Sequence, residues 1–146
     1  MASAAFPLLE EMKRTFYPFA TARGFLKQKS EAPGFTVFRR VREQRIEAFK
    51  VQWDKYCRPF FVINFGRGVA DSDQHQASGR LQRRRGGNLS CWFNIRRPWS
   101  AKLRSGKWNY QPAEVVSEVI AAFPELEAWW ATGEAGPHIY ISQLHA

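Results

Sequence analysis

Cysteine is scarce in this 146-residue chain, which contains only Cys57 and Cys91. Two cysteines do not form a disulfide framework, so we expect reduced thiols in a cytoplasmic protein. Long apolar runs are also missing, and none approaches the roughly 20 residues that span a bilayer. The first residues lack the basic start and apolar core of a secretory signal. These absences predict a protein without membrane association.

Recognisable catalytic motifs are absent as well. The sequence contains no nucleophile elbow, HExxH or CxxC pair, and Gly86-Gly87 lacks the flanking pattern of a phosphate loop. No catalytic residue and no cofactor are therefore predicted. The nearest approach to a metal site is Asp71-x-Asp73-x-His75, whose side chains share one side of an extended chain and could ligate a divalent ion. The alternative is an ordinary polar loop.

Acidic residues are missing from one long segment. Residues 74–113 contain nine Lys or Arg and no Asp or Glu, whereas the rest of the chain holds thirteen of each. The whole net charge of +9 therefore belongs to this segment. A localised positive field attracts polyanions, which predicts nucleic acid or an acidic protein as the partner.

The centre of the chain is the stretch 46–66, where two runs alternate between apolar and polar residues. Alternation with a period of two is typical of a strand with one buried face. The apolar residues are Phe49, Val51 and Trp53 in the first run and Phe61, Ile63 and Phe65 in the second. The polar connection 54–59 is too short for a parallel crossover, so the runs are predicted to form an antiparallel pair.

Further strands are predicted on both sides of this pair. Residues 35–42 alternate in the same way, and two polar residues connect them to the central pair without the Gly or Asn that specifies a tight turn. Residues 67–79 are small and polar, which predicts a loop. The apolar alternation returns at 89–96, predicted as a fourth strand, and 139–141 is predicted as an edge strand.

Helical periodicity marks two other segments. In residues 3–17 apolar residues recur at spacings of three and four, and Pro18 is expected to end or kink this helix. Residues 113–131 have the same periodicity, with a break expected at Pro124. The sequence therefore predicts a single α+β domain over residues 1–146. An antiparallel sheet of four to five strands carries the N-terminal and C-terminal helices on its aromatic face.

The polar face of this sheet is one candidate binding surface. Its predicted residues are cations, amides and one indole: Arg40, Arg42, Lys50, Gln52, Asn64, Trp92, Asn94 and Arg96. Such cations bind phosphate or carboxylate groups, and an indole stacks on a base or ring. The alternative is a solvated outer sheet face.

The basic segment 80–107 is the second candidate. It contains Arg83, Arg84 and Arg85, with Trp99 and Trp108 further along in a stretch predicted to be irregular or a short hairpin. Replacing the three arginines with Ala is expected to weaken polyanion binding with little effect on the melting temperature. The alternative is that the tryptophans belong to the core and the arginines to a solvated loop.

The order of several short motifs resembles a known family. After the first helix come GFLKQK, VFRRV, VQWDKY, FFVINFG and RLQRR, and an aromatic strand and a late helix follow. This order resembles the domain-of-unknown-function 4304 family of small bacterial domains, over most of the chain. The resemblance implies a compact α+β domain. It implies no activity and no catalytic residues.

Two functions follow from these observations. The first is a non-catalytic binding module that engages an anionic partner, nucleic acid or acidic protein, through the basic sheet face and the segment 80–107. The alternative is a metal-dependent enzyme that acts on a phosphorylated or nucleic-acid substrate with Asp71, Asp73 and His75.

Overall fold

The computed structural model describes residues 3–29, 32–69 and 76–141. Within these ranges the chain forms a seven-stranded antiparallel sheet with helices on one face. The strands are β1 Leu26–Gln28, β2 Phe35–Arg42, β3 Arg45–Trp53, β4 Phe60–Val69, β5 Gln76–Leu81, β6 Phe93–Asn94 and β7 Ile139–Tyr140. They lie in the order β1-β2-β3-β4-β5-β7, and β6 pairs with the start of β4 beside β5. The α+β prediction is confirmed, with more strands than expected.

The central strands pair in a register that aligns their aromatic residues. Phe38 of β2 lies opposite Phe49 of β3, which lies opposite Phe65 of β4. The β2–β3 connection is the pair Glu43 and Gln44, both with a left-handed backbone at φ 51° and 64°. This conformation matches the twist of a two-residue hairpin, although neither residue is the usual Asn or Gly.

The N-terminal helical segment does not stop at Pro18. It runs through α1, Phe6–Glu11, a π-helical turn, Met12–Phe16, and α2, Tyr17–Ala22. The N–H of Tyr17 bonds to the carbonyl of Met12, five residues earlier, and Pro18 falls in the first turn of α2. Because the helix is continuous at this point, Pro18 leaves one carbonyl of the preceding turn without its backbone donor, and the π turn lies directly before it. The predicted disruption is therefore a π turn rather than an end.

The last two helices lie within one residue of the predicted outer bounds, 113 and 131, and the break falls next to Pro124 as expected. After α3, Trp99–Ser105, come α4, Pro112–Ala122, and α5, Pro124–Thr132. The Gln111 N–H donates to the Glu114 carboxylate at 2.7 Å, which satisfies an otherwise free donor at the start of α4. Gly133 follows α5 at φ 80°, a left-handed conformation that terminates helices.

The core lies between the sheet and the helices. Strands β2 to β4 contribute alternating residues to it, and the helices α1, α2, α4 and α5 cover them. Its fully buried aromatic residues are Phe16, Phe25, Phe38, Phe49, Phe61, Phe65, Phe93 and Phe123. Burial of this much ring surface supplies most of the driving force for folding, at about 25 cal/mol per Å².

Several predictions about the second half of the chain were wrong. The segment 67–79 is not a loop throughout, because β4 continues to Val69 and β5 begins at Gln76. The predicted strand 89–96 is a 3-10 turn at Leu89–Cys91 followed by the two residues of β6. Residues 99–105, predicted as irregular, form α3. No helix among the described residues is long and apolar enough to cross a bilayer.

Candidate anion-binding surface

Part of the predicted polar sheet face exists as expected. Lys50 is exposed on the face of the sheet opposite the helices, directly across from Asn64. Asn64 Nδ2 donates to Gln52 Oε1 at 2.8 Å, and Arg80 Nε donates to Asn64 Oδ1 at 3.1 Å. These bonds form a polar strip across β3, β4 and β5. Most of the strip's hydrogen-bonding capacity is therefore used within the protein, with Lys50 as its exposed cation.

Arg40 and Arg42 lie on the wrong side of the sheet for this face. An outward position of Arg40 and Arg42 requires the odd-numbered residues of β2, such as Val37 and Val41, to face the core. Instead Phe38 enters the core, and Val41 is 54% exposed. A one-residue change of phase exchanges the two faces of a strand. Both arginines therefore share the helix side with Phe38.

Arg40 is buried there in a network of charges. Its guanidinium bonds to Glu47 Oε1 at 2.5 and 2.8 Å and to the two oxygens of Glu127 at 2.7 and 3.1 Å. It also lies 4.2 Å from the ring centroid of Phe25. Burial opposes its charge, but the hydrogen bonds from Glu127 and Glu47 outweigh burial and raise the pKa of Arg40. Arg40 joins α5 to the sheet and is not available to a partner.

Trp92 and Asn94 are also structural. Trp92 is only 8% exposed and packs with Phe60 and Val62 in a small cluster on the outer face of the sheet, so it is no stacking platform. Asn94 is 3% exposed, and its Oδ1 accepts hydrogen bonds from the Arg96 N–H at 2.9 Å and from Arg83 at 3.3 Å. Neighbouring residues therefore cover both side chains, and neither is presented to a partner.

The three consecutive arginines have different environments. Arg83 bonds to both oxygens of Glu118 at 2.8 to 3.0 Å and to the carbonyl of Asn94 at 2.6 Å. Arg85 donates to the carbonyls of Gly136 at 2.8 Å and Ile139 at 3.2 Å. These hydrogen bonds connect the segment around Arg85 to strand β7. Because Arg83 and Arg85 bond to other parts of the fold, their removal is expected to lower the melting temperature, unlike the small effect predicted for all three arginines.

Arg84 and Arg85 are both exposed, but Arg84 has fewer internal hydrogen bonds. Within the described residues, the guanidinium of Arg84 donates one hydrogen bond, to the carbonyl of Ser90 at 3.1 Å. The guanidinium groups of Arg83 and Arg85 each donate several. Arg96 is likewise exposed, with its guanidinium 5.3 Å from the ring centroid of Phe60. Both therefore retain donors for an anion.

These arginines surround a small pocket of about 150 Å³, which we call the arginine pocket. Its lining residues are Arg83, Arg84, Ser90, Asn94, Arg96, Arg97 and Pro98. None of these described lining residues is acidic. Glu118 and Glu114 hold Arg83 and Arg97 in place by ion pairs of 2.8 and 3.4 Å. The pocket has the volume of a few water molecules, and guanidinium groups that can donate two parallel hydrogen bonds line it. These properties suit an anion of the size of phosphate.

Two exposed tryptophans adjoin the arginine pocket. Trp99 and Trp108 are 68% and 64% exposed, and their ring centroids are 6.2 Å apart at an angle of 61°. Lys102 Nζ lies 5.3 and 4.8 Å from the two centroids. Large aromatic side chains on the surface mark interaction sites, since their exposure to water is unfavourable. The alternative that the tryptophans of segment 80–107 belong to the core is wrong for Trp99 and Trp108, whereas Trp92 is buried as that alternative predicts.

The backbone fixes this pair beside the pocket. The Arg97 N–H bonds to the carbonyl of Trp108 at 3.0 Å, and Arg96 forms a β-bridge with Asn109. Pro98 both lines the pocket and precedes α3, which begins at Trp99. These contacts hold both tryptophans next to the pocket residues Arg97 and Pro98. We define the basic aromatic surface as the exposed residues Arg84, Arg96, Trp99 and Trp108 together with the half-buried Lys102.

Sequence reasoning found the residues of the basic aromatic surface only in part. The arginine and tryptophan content of segment 80–107 was recognised, but α3, which presents Trp99 and Lys102 together, was not. Pro98 at the N-cap of α3 and Gly106 at φ 68° after it were the available signals. They flank a short run with little apolar periodicity, so a helix was not expected.

The candidate metal residues Asp71, Asp73 and His75 lie outside the described residues. Among the residues that are described, no group of three or more His, Cys, Asp or Glu is placed to hold a metal ion. Cys57 and Cys91 are both free thiols.

Comparisons with protein-family models, curated proteins and solved structures give no match to this chain. They neither support nor contradict the resemblance to the domain-of-unknown-function 4304 family, which stays a prediction.

Proposed function

We propose that this protein is a non-catalytic cytoplasmic module that binds single-stranded nucleic acid through the basic aromatic surface. The observation that carries the proposal is the exposed pair Trp99 and Trp108 directly beside the arginine pocket. A phosphate would enter the pocket between Arg84 and Arg96, and an adjacent base would stack on an indole. Stacking of this kind contributes about 1–3 kcal/mol per base and tolerates any sequence.

Single strands suit this surface better than duplexes. Bases present their faces to an aromatic side chain only when they are unpaired. A duplex would offer its phosphates alone, so it would use Arg84, Arg96 and Lys102 but gain nothing from the tryptophans. An acidic protein would also bind this surface through its charge. It would lack bases that can stack on both indoles, so nucleic acid suits the surface better.

The test is the fluorescence anisotropy of a labelled 12-nucleotide deoxythymidine strand titrated with protein at several salt concentrations. We expect saturable binding that quenches tryptophan emission, and a weaker response with a duplex of the same length. The double variant Trp99→Ala, Trp108→Ala should lose roughly 5- to 150-fold in affinity for the single strand. It should leave binding to the duplex nearly unchanged.

A matched control is available at the other end of strand β4. Arg42 and Arg45 are exposed and lie where β3 pairs with Val69, whereas the arginine pocket adjoins the start of β4 near Phe60. Nine residues of strand separate the two ends by about 30 Å. The variant Arg42→Ala, Arg45→Ala removes the same charge as Arg84→Ala, Arg96→Ala, yet it should retain wild-type affinity to within about twofold if binding is local. Equal losses in the two variants would contradict the proposed surface.

The metal-dependent enzyme stays a prediction, because its residues Asp71, Asp73 and His75 are not described. No observation on the described residues favours this enzyme over nucleic-acid binding at the basic aromatic surface.

A further inference from the structure

A second and larger concave site lies elsewhere on the molecule. It is a groove of about 910 Å³, within the size range of small-molecule sites. Its walls are the N-terminal segment with Ser3, Ala5 and Leu9, the turn that leads into β2, and the β3–β4 connection. Gly87, Leu89 and Trp92 complete them. We call it the sheet-end groove. The arginine pocket has none of these lining residues in common with it.

The wall of the sheet-end groove is aromatic. Phe35, Trp53, Tyr56 and Trp92 all line it. Trp53 packs on Phe61 at a centroid distance of 4.9 Å, so its ring is held by the core. Aromatic rings fixed in this way offer flat apolar area to a planar ligand without losing much conformational freedom on binding.

Two polar groups in this wall have no partner. The indole N–H groups of Trp53 and Trp92 are buried and have no hydrogen-bond acceptor among the described residues. Buried indole N–H groups usually find an acceptor, because an unmade hydrogen bond costs free energy. Both unpaired donors belong to residues that line one groove, which indicates a ligand that carries acceptor atoms. Both nitrogen atoms are shielded from solvent, so a ligand acceptor would reach them only after the indole rings move.

The rim of the groove is positively charged. Lys55 and Arg58 line it together with a single carboxylate among the described lining residues, Asp54. Asp54 is already neutralised, because Arg58 donates to its two oxygens at 2.8 and 3.0 Å. Lys55 is exposed, with its Nζ 5.0 Å from the ring centroid of Tyr56. The rim therefore keeps one uncompensated positive charge above an aromatic wall.

We propose that the sheet-end groove binds a small planar aromatic molecule that carries an anionic group. The ring lies against Trp53 and Tyr56, and the anion faces Lys55. This site is separate from the proposed nucleic-acid surface, and neither proposal depends on the other.

A pair of probes tests the chemical class. 8-Anilinonaphthalene-1-sulfonate is a planar aromatic anion, and N-phenyl-1-naphthylamine is the same ring system without the sulfonate. Fluorescence titration of the full chain should show saturable 1:1 binding of the anion and at least tenfold weaker binding of the neutral probe. Equal affinities would overturn the anionic class, and the absence of saturation with the sulfonate would overturn the site.

The chain supplies its own reporter of location. Cys57 is exposed and lines the groove, whereas Cys91 does not line it. With saturating 8-anilinonaphthalene-1-sulfonate, the rate of iodoacetamide modification at Cys57 should fall at least fivefold, and the rate at Cys91 should stay the same. Mass spectrometry reads both sites in one sample. Unchanged modification of Cys57 at saturation would show that the probe binds elsewhere.

Charge reversal at the rim tests the role of Lys55. The variant Lys55→Glu should weaken binding of the sulfonate at least fivefold and leave the neutral probe unaffected. Lys27→Glu makes the same charge change on the exposed edge strand β1, outside the groove, and should bind both probes as the wild type does. Equal effects of the two variants would overturn a local role for Lys55. Because the Cys57 measurement uses the wild-type protein, it decides the site even if Lys55→Glu fails to fold.

Discussion

Arg83 and Arg84 are adjacent in the chain, yet they have opposite roles. The side chain of Arg83 is 14% exposed and bonded to Glu118, whereas Arg84 faces solvent beside the arginine pocket. Removal of one partner from a largely buried ion pair leaves the other charge uncompensated, which is more costly than loss of an exposed cation. The position of each guanidinium, rather than residue type, therefore decides whether it stabilises the fold or serves a partner.

This difference predicts unequal effects on stability. Arg83→Ala should lower the free energy of unfolding by about 2–3 kcal/mol, because Glu118 and the carbonyl of Asn94 lose their donor. Arg84→Ala should change it by less than about 0.5 kcal/mol. Urea unfolding followed by circular dichroism measures both, and equal midpoints for the two variants would contradict the internal role of Arg83.

Asp54 is the buried carboxylate of the β3–β4 connection. Hydrogen bonds from the Arg58 side chain lower the pKa of Asp54, and their effect is larger than the opposing effect of burial. The backbone N–H groups of Arg58 and Tyr56 also donate to this carboxylate and lower its pKa further. A lowered pKa in the folded state means that Asp54 stabilises the fold above its unfolded-state pKa of about 3.9. That contribution is lost as the pH falls through the lower folded-state value.

The variant Asp54→Asn should remove this dependence. At pH 7 it should be less stable than the wild type by roughly 1–3 kcal/mol, since charge-assisted hydrogen bonds are lost. The difference should shrink as the pH falls below about 4, where the wild-type carboxylate also becomes protonated. Thermal unfolding between pH 2 and pH 7 tests this, and a constant difference across that range would argue against ionised Asp54 as a stabilising group.

Among the elements, the β2–β3 turn carries the clearest local strain. Glu43 and Gln44 both adopt positive φ angles, which cost side-chain-bearing residues free energy that Gly or Asn largely avoids. The hairpin forms nevertheless, because eight residue pairs from Phe35↔Gln52 to Arg42↔Arg45 fix its register. The strands here impose a conformation on the turn that its own residues do not favour.

Replacement of the turn should therefore stabilise the protein. The variant Glu43→Asn, Gln44→Gly should raise the free energy of unfolding by about 0.5–1 kcal/mol, because these residues adopt the required conformation with little strain. The melting temperature should rise accordingly. As a control, Glu134→Gln removes one negative charge at an exposed residue after α5 and should have little effect. A lower melting temperature in the turn variant would show that Glu43 or Gln44 makes a stabilising contact.

For the whole molecule, charge is distributed in a way that composition does not reveal. The excess of +9 comes from residues 74–113, but part of that charge is used internally by pairs such as Arg83 with Glu118 and Arg97 with Glu114. Of the remaining cations, Lys102 lies within 5.3 Å of the ring centroids of both exposed tryptophans, whereas Arg80 and Arg85 lie elsewhere on the protein. The electrostatic field available to a polyanion is therefore smaller and more local than the net charge indicates.

Salt dependence measures how many cations act on the partner. Binding of a single strand by Arg84, Arg96 and Lys102 predicts a slope of log K against log salt near −2, since each phosphate contact contributes about −0.7. The variant Arg84→Ala, Arg96→Ala should reduce the magnitude of that slope by about 1.4. Anisotropy titrations between 50 and 200 mM salt provide the measurement, and an unchanged slope would place the phosphate contacts elsewhere.

The sequence predicted strongly periodic elements well. Strands β2, β3 and β4 and the helices α4 and α5 were recognised because alternating or helical apolar patterns extend over eight residues or more. Weakly patterned pieces were missed, including α3 and β5. The candidate site was predicted as a set of residue types: Arg84 and Arg96 remain in it, whereas Arg40, Trp92 and Asn94 are buried and serve the fold.

By itself, the sequence determined that an aromatic antiparallel sheet forms and that its positive charge lies in one segment, because periodicity and composition are properties of the chain. Tertiary structure decided which arginines remain free. Arg40 pairs with Glu127, which is 87 residues away in the chain, and Arg83 pairs with Glu118, which is 35 residues away. Such pairs form only when helices pack on the sheet, so no local pattern can separate an internal cation from one that faces a partner.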